Sequence, residues 1–405
     1  MDYSENKTMG KHAYVNGRMH DLMESYIASR DWDALCAEFP VLLPLASCLQ
    51  DRKHHAEGDV ATHTRMVIDE LLLDPDYHAL DDNDRFLMFW TAVFHDSGKP
   101  ERTKEEEDGS ITSRGHSRAG ASIARREMMA AGMPYEMREH MCSLILAHQI
   151  PFWLYERDEA EQTKKAITLS MELDARLLIM HARADARGRM CLDPEDIRMR
   201  VELSREVFVE QGVYGERYPF ANEESMLAYV RRDDRHPAYE AHMDFTCKAT
   251  VMCGLQGVGK NTWIAENMPD AAVVSPDDLR EEMDVEWTDN QGRVVQATIE
   301  AAKTHLRAGR DFVWNATNVT FDMRAKVIGL LRDYNARIRI VYIETPTDVL
   351  FKQNAERAAS VSETVIERYI SKLEPPKDWE AHEVVRVIRD AAAPRNQYAR
   401  RAPAP

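Results

Sequence analysis

The stretch Lys248–Trp263, KATVMCGLQGVGKNTW, decides how the second half of the chain folds. Its apolar run, ending at Cys253, has the character of a buried parallel strand. The run stops at Gly254, passes Gly257 and Gly259, and reaches Lys260, where a helix is expected to begin. A strand that turns on glycines into a helix N-terminus points free backbone N–H groups at an anion. The lysine adds a mobile positive charge for the outer phosphates of a nucleotide. Gly254, Gly259 and Lys260 match the phosphate-loop spacing G-x-x-x-x-G-K-[ST], but the last position does not. Asn261 stands where a hydroxyl would hold Mg²⁺, and Thr262 follows it. A glycine turn without a ligand would leave the coincidence of all three positions after a strand unexplained. Gly257, Gly259, Lys260, Asn261 and Thr262 are therefore the candidate phosphate-binding residues.

The chain has 405 residues, 44% hydrophobic and 30% charged, an ordinary globular composition with room for two or three domains. Its six cysteines include no C-x-x-C pair, which argues against a zinc knuckle or disulfide scaffold and for a reducing cytoplasm. No signal peptide or bilayer-spanning run is expected, since the longest apolar stretch, Val41–Leu49, is short and contains Pro44. The net charge of −17 is uneven. Residues from Thr246 onward carry 22 basic and 23 acidic side chains, so nearly all of the excess lies before them. Bulk attraction to nucleic acid is not expected from that balance. Any such contact rests on local arginines such as Arg114, Arg118, Arg183 and Arg187, or on the tail residues Arg395, Arg400 and Arg401.

Before residue 245 the apolar spacing is helical throughout, with helices expected over 59–73, 84–94, 116–131, 135–148, 162–187 and 194–211. No strand is expected there. Afterwards strands at 249–253, 271–274, 312–315 and 337–343 alternate with helices at 294–308 and 323–334, the pattern of a parallel sheet covered by helices. The expected organisation is multidomain. A flexible lead-in occupies 1–18, an all-α domain 19–213, a connecting region 214–245, an α/β phosphate-loop domain 246–392 and a tail 393–405.

In the first half, His95 and Asp96 end an apolar helix just before Gly98, where a turn lets both side chains face one point. Asp59 and His63 fall at i and i+4 on one helix face, so Asp59 could orient the imidazole. Asp185 lies among small residues on a later helix. Imidazole and carboxylate donors suit Zn, Mn, Fe, Co or Ni. His55-Ala56-Glu57-Gly58-Asp59, Thr62-His63-Thr64, Phe94–Pro100 (FHDSGKP) and Ala184–Arg189 (ADARGR) resemble the H…HD…D pattern of the HD phosphohydrolase superfamily, and closely the HD module of bacterial CCA-adding nucleotidyltransferases. The resemblance implies that His63, His95, Asp96 and Asp185 ligate a divalent metal, with His116 and His148 where two-metal members place further histidines. Lys99 and Arg118 are candidates for phosphate contact. The expected chemistry is metal-dependent phosphate-ester hydrolysis.

In the second half, Ser275-Pro276-Asp277-Asp278-Leu279-Arg280 follows the second strand. A carboxylate there can take the proton of an attacking hydroxyl, and an arginine can hold a substrate phosphate. Asn315 occupies the position where a motor ATPase would carry an acid, which favours a small kinase. The segment from Gln353 could close as a lid, with Arg357 neutralising transferred charge. The loop at 254–263, Asp277-Asp278-x-Arg280, Thr317-Asn318 and Arg357 resemble polynucleotide 5′-kinases of the phage and bacterial end-healing type. That resemblance implies Asp277 as general base, Arg280, Thr317 and Asn318 on the acceptor, and Lys260 and Arg357 on the transferring phosphoryl. Gln256 in place of proline and Asn261 in place of serine depart from it.

The fusion of the two halves resembles the bacterial HD phosphohydrolase–polynucleotide kinase family over roughly residues 20–390. It implies a bifunctional RNA end-healing enzyme. One activity would hydrolyse 2′,3′-cyclic, 2′- or 3′-phosphate ends; the other, using ATP (or another NTP) with Mg²⁺, would phosphorylate 5′-OH ends. RNA or DNA ends, ATP and a downstream RNA ligase are the implied partners, and no membrane is. Two alternatives stand beside this reading: a nucleotide-metabolism enzyme joining an HD nucleotidase to a small-molecule kinase, and a non-catalytic ATP-sensing regulator.

Overall fold

A computed structural model describes residues 17–51, 53, 55–286, 289–356 and 360–389. The tail, most of the lead-in and Arg357 lie outside them. The chain divides after Tyr218 into two compact units. The division falls inside the expected connecting region, and within that region Glu223–Arg231 is a helix.

The first unit is built from helices around a single apolar core. Its central helix, Asp82–Phe94, buries every residue from Phe86 to Phe94, as a helix that is apolar all round must. Asp81 caps its start, accepting from the Asp84 N–H, and Trp90 packs among Phe39, Phe86, Phe89 and Phe94. The C-terminus of this helix delivers His95 and Asp96 into the interior. Two glycines then allow backbones to approach closely. A methyl group on Gly98 would stand 2.2 Å from the His116 carbonyl oxygen, so only glycine lets the turn after Asp96 touch the helix His116–Ala130. A methyl group on Gly188 would stand 2.8 Å from the Val67 nitrogen, where the end of Ala175–Arg187 meets the helix Val60–Leu73.

Two expectations fail here. The helix expected over 162–187 is two, Glu159–Ser170 and Ala175–Arg187. Asp174 ends the continuity by accepting from the Arg176 N–H as an N-cap, which an apolar periodicity running through the break does not reveal. The unit also contains strands: β1 (Lys104–Glu105) and β2 (Ile111–Thr112) form a short antiparallel hairpin in the stretch read as a loop.

The second unit is a five-stranded parallel sheet flanked by helices. Its strands are β3 (Cys247–Cys253), β4 (Ala272–Val274), β5 (Phe312–Asn315), β6 (Ala336–Glu344) and β7 (Glu383–Ile388), in the spatial order β4-β5-β3-β6-β7. The glycine-loop strand β3 is central and buried on both faces but for Lys248. β7 was not expected, because EVVRVI is half-buried along its whole length and lacks the fully apolar run of an inner strand. On the helix Phe321–Asp333, Arg324 is wholly buried. It donates to both oxygens of Glu380 at 2.6 and 2.8 Å and to the carbonyls of Asn318 and Glu374. Removing one member of such a pair strands a buried charge. Arg324→Ala is expected to destabilise the second unit by about 3–5 kcal/mol in denaturant titrations, with hydrolysis by the first unit unchanged; a loss below 1 kcal/mol would contradict the role given to the pair.

Candidate active sites

In the first unit, four buried histidines are oriented alike. The Nδ1 of His95 faces the Ala92 carbonyl at 2.8 Å, that of His116 the Ser113 carbonyl at 2.7 Å and that of His148 the Ile145 carbonyl at 2.7 Å. His63 Nδ1 lies 3.2 Å from the Gly188 carbonyl and 3.0 Å from Glu57 Oε1. A carbonyl only accepts, so each Nδ1 carries a proton and, in a neutral ring, Nε2 presents a lone pair. At His63 burial would lower the pKa, but Asp185 and Glu57 raise it, so Asp185 favours a proton or another cation at its Nε2. The Nε2 atoms converge on carboxylates. His63 Nε2 lies 3.1 Å from Asp185 Oδ1 and 3.7 Å from Asp96 Oδ2, and His95 Nε2 is 3.2 Å from Asp96 Oδ2. On the other side, His116 and His148 Nε2 are 3.2 and 3.7 Å from Asp96 Oδ1 and 3.3 Å from each other.

Lone pairs facing lone pairs and carboxylate oxygens repel unless a cation or proton lies between them. Nε2 of His63 and His95 and Oδ1 of Asp96 are buried without an aligned hydrogen bond. Burial, helped by the charges of His116 and His95, holds His148 well below an ordinary histidine pKa, so a proton does not meet the need there. A divalent transition metal does, and the donor set fits one. The groups His63–His95–Asp185 and Asp96–His116–His148 are each close enough to hold an ion.

The surroundings differ from expectation at three residues. Asp59 does not orient His63. It caps the helix Val60–Leu73, accepting from the Thr62 N–H and hydroxyl at 2.8 and 3.0 Å. Glu57 takes the orienting place. Its Oε1 accepts from His63 and, at 2.8 Å, from His55, and its Oε2 accepts from the Met190 N–H. Lys99 is not open to a phosphate, because its Nζ is buried between Gln50 Oε1 at 2.6 Å and Asp96 Oδ2 at 2.7 Å. Burial would raise the Asp96 carboxyl, but Lys99, His95 and His116 hold it well below the usual carboxylate range. Arg189 does the same for Asp185, donating at 2.9 Å to both oxygens. Arg118 is exposed on its helix. The sequence reading passed over His181, which is fully buried with neither ring nitrogen hydrogen-bonded, its ring 5.1 Å from that of His95. Burial pushes it down to about 3. Its place one turn before Asp185 was the available signal.

In the second unit, Gly254, Gly257 and Gly259 have φ of 144°, 89° and 90°, and the helix Lys260–Asn267 begins immediately after. Lys260 Nζ folds back onto the Gly254 and Leu255 carbonyls at 3.0 and 2.9 Å. Asn261 and Thr262 are exposed on the first helical turn. Asn315 Nδ2 donates to Asn261 Oδ1 at 2.9 Å, so two amides pair where a hydroxyl and an acid would otherwise hold Mg²⁺. Asp277 and Arg280 lie one turn apart on Pro276–Glu282 and pair at 2.7 Å; the Arg280 Nε also donates to Gln291. Asn318 does not face a substrate. It is buried with its amide on the Met252 carbonyl, while the Thr317 carbonyl accepts from Gly254 N–H, so this turn braces the loop.

The chain matches the HD domain family model over residues 59–177 and the AAA domain model over residues 250–376. It therefore joins a helical HD domain to a kinase-like P-loop domain. Among solved structures it is similar to a provisionally assigned kinase from Chloroflexus aurantiacus, at 18% identity and TM-score 0.31, covering 36% of this chain and 86% of that one. It is also similar to a sugar kinase from Janibacter sp., at 14% identity and TM-score 0.28, covering 35% and 85%. No helix among the described residues is long and apolar enough to cross a membrane.

Asp96→Asn is expected to release bound metal, measured by elemental analysis, and to cut phosphate-ester hydrolysis by more than the roughly 10–100-fold that follows loss of an orienting partner. Glu57→Gln should fall within that range. Unchanged metal content in Asp96→Asn would refute the assignment. Asn261→Ser should preserve or raise phosphoryl transfer while lowering the Mg²⁺ needed for half-maximal rate; a loss of transfer would mean that the paired amides hold the ion themselves.

Proposed function

We propose that the chain heals broken RNA ends, its HD unit removing a 2′,3′-cyclic, 2′- or 3′-phosphate and its second unit phosphorylating the 5′-OH. The observation that carries the reading is the set of histidine Nε2 atoms turned onto the two oxygens of Asp96, a donor set suited to a hydrolytic metal, on the same chain as a glycine loop followed by the Asp277–Arg280 pair.

In the HD unit, His63, His95 and Asp185 with Asp96 Oδ2 would hold one divalent ion, and His116 and His148 with Oδ1 a second. Such ions supply hydroxide near neutral pH and draw charge from a phosphoryl oxygen. Lys99 and Arg189 keep the two carboxylates charged, and Glu57 with the backbone carbonyls keeps each imidazole in the ligating tautomer. In the second unit, bound ATP with Mg²⁺ supplies the transferred phosphoryl. The glycine-loop N–H groups and Lys260 hold its phosphates, with Lys260 leaving the carbonyls that it now caps. Asp277 accepts the proton of the 5′-hydroxyl as the new P–O bond forms and the bond to ADP breaks. Arg280 must release Asp277 to do this, and a phosphate of the incoming strand is the group that draws it away. Arg357, by resemblance, would add charge from the lid.

The acidic balance of residues before Thr246 suits the second reading, an HD nucleotidase joined to a small-molecule kinase. An RNA with a 5′-OH and a 2′,3′-cyclic phosphate, incubated with labelled ATP and Mg²⁺, Mn²⁺, Co²⁺ or Ni²⁺, separates the two. Label on the oligonucleotide and loss of the cyclic phosphate are expected. Transfer to free nucleosides alone would overturn the end-healing reading.

A further inference from the structure

β7 ends at Ile388, opposite Glu344 of β6, and the Arg389 N–H donates to the Glu344 carbonyl at 3.0 Å, carrying the ladder one residue further. β6 lies beside β3, with Tyr342 opposite Cys253. Parallel strands present their ligand-binding loops at their carboxyl ends, so Arg389 and the glycine loop leave the sheet along one edge. Across that edge the Arg389 guanidinium rests against Gly259. A methyl group on the Gly259 α-carbon would stand 2.7 and 3.1 Å from its two terminal nitrogens and 3.3 Å from its central carbon. Gly259 is the N-cap of the helix Lys260–Asn267 and carries no side-chain cap.

A guanidinium at the positive end of a helix is disfavoured by that end's potential. An anion seated on the loop reverses that sign, because the same N–H groups and cations then all face negative charge. Arginine's planar fork also matches two phosphate oxygens at once, which a lysine does not. The loop motif carries no hint of this residue, which arrives from the last strand of the sheet.

We propose that Arg389 is a phosphate ligand of the donor nucleotide, clamping the triphosphate against the glycine loop. The proposal rests on the reading of this unit as one that binds a nucleoside triphosphate. It concerns the phosphates and not the base, since the guanidinium lies on the glycine that caps the phosphate-binding helix.

Equilibrium titration by calorimetry tests it, using the full chain with ATP, GTP and UTP in Mg²⁺. Arg389→Ala is expected to weaken each nucleotide by about tenfold, the size of one charge-assisted contact, and by the same factor for all three bases. Arg389→Lys should recover part of the loss, keeping charge without the fork. Hydrolysis by the HD unit should be unchanged in both variants, which reports an intact chain. Unchanged nucleotide affinity in Arg389→Ala overturns the proposal, and so does a loss confined to one base. If the wild-type chain bound none of the three nucleotides, the nucleotide reading itself would fall, and the proposal with it.

Discussion

The first unit is organised by the need to surround one buried carboxylate. Asp96 sits at the end of a helix that is apolar on every side, in surroundings that penalise a naked charge. Its two oxygens are met from two directions, His63, His95 and Lys99 at Oδ2, His116 and His148 at Oδ1. The fold delivers these groups from separate helices, and two close backbone approaches at Gly98 and Gly188 set their spacing. Each imidazole is then turned the same way by a main-chain carbonyl at its far nitrogen. Imidazole nitrogens turned inward beside carboxylates make a poor apolar core and a good setting for cations held between them.

The second unit solves a different electrostatic problem with backbone in place of side chains. β3 brings a glycine loop to the carboxyl edge of a parallel sheet, where the N-terminus of the following helix collects positive potential. Lys260 covers two loop carbonyls, and the turn at Thr317-Asn318 ties the loop to the neighbouring strand. The protein supplies no charged oxygen at either usual Mg²⁺ position, since Asn261 and Asn315 are bonded to one another. An ion there would depend on the nucleotide's phosphates and on water for its charge neutralisation, with the amides fixing only its position.

What could be read from the sequence was what local order encodes. The strand–glycine–helix passage is contiguous, and the helices bearing His63, His95, Asp96, His116, His148 and Asp185 follow from apolar spacing and capping residues. What could not be read was where polar side chains spend their hydrogen bonds. Asp59 and His63 do share a helical repeat, but an aspartate at an N-cap is committed to the free N–H groups of the first turn. Glu57, before the helix, is therefore the residue that reaches the imidazole. Lys99 looked available because the sequence does not show Gln50 and Asp96 enclosing it. Asn318 looked like a substrate contact because the Met252 carbonyl that takes its amide belongs to a strand far away in the chain. β7 and Arg389 escaped for a related reason: an edge strand half-buried on both faces has no strong pattern, and the residue after it gains meaning only beside Gly259.

The account turns on Asp96 as a carboxylate shared between two cations. Diffraction from crystals of the Mn²⁺-loaded protein, collected for anomalous signal, measures this directly. Two peaks are predicted, one on the Oδ2 side of Asp96 among His63, His95 and Asp185, the other on the Oδ1 side between His116 and His148. A single peak with His116 and His148 hydrogen-bonded to each other, or no peak at Asp96, would contradict it.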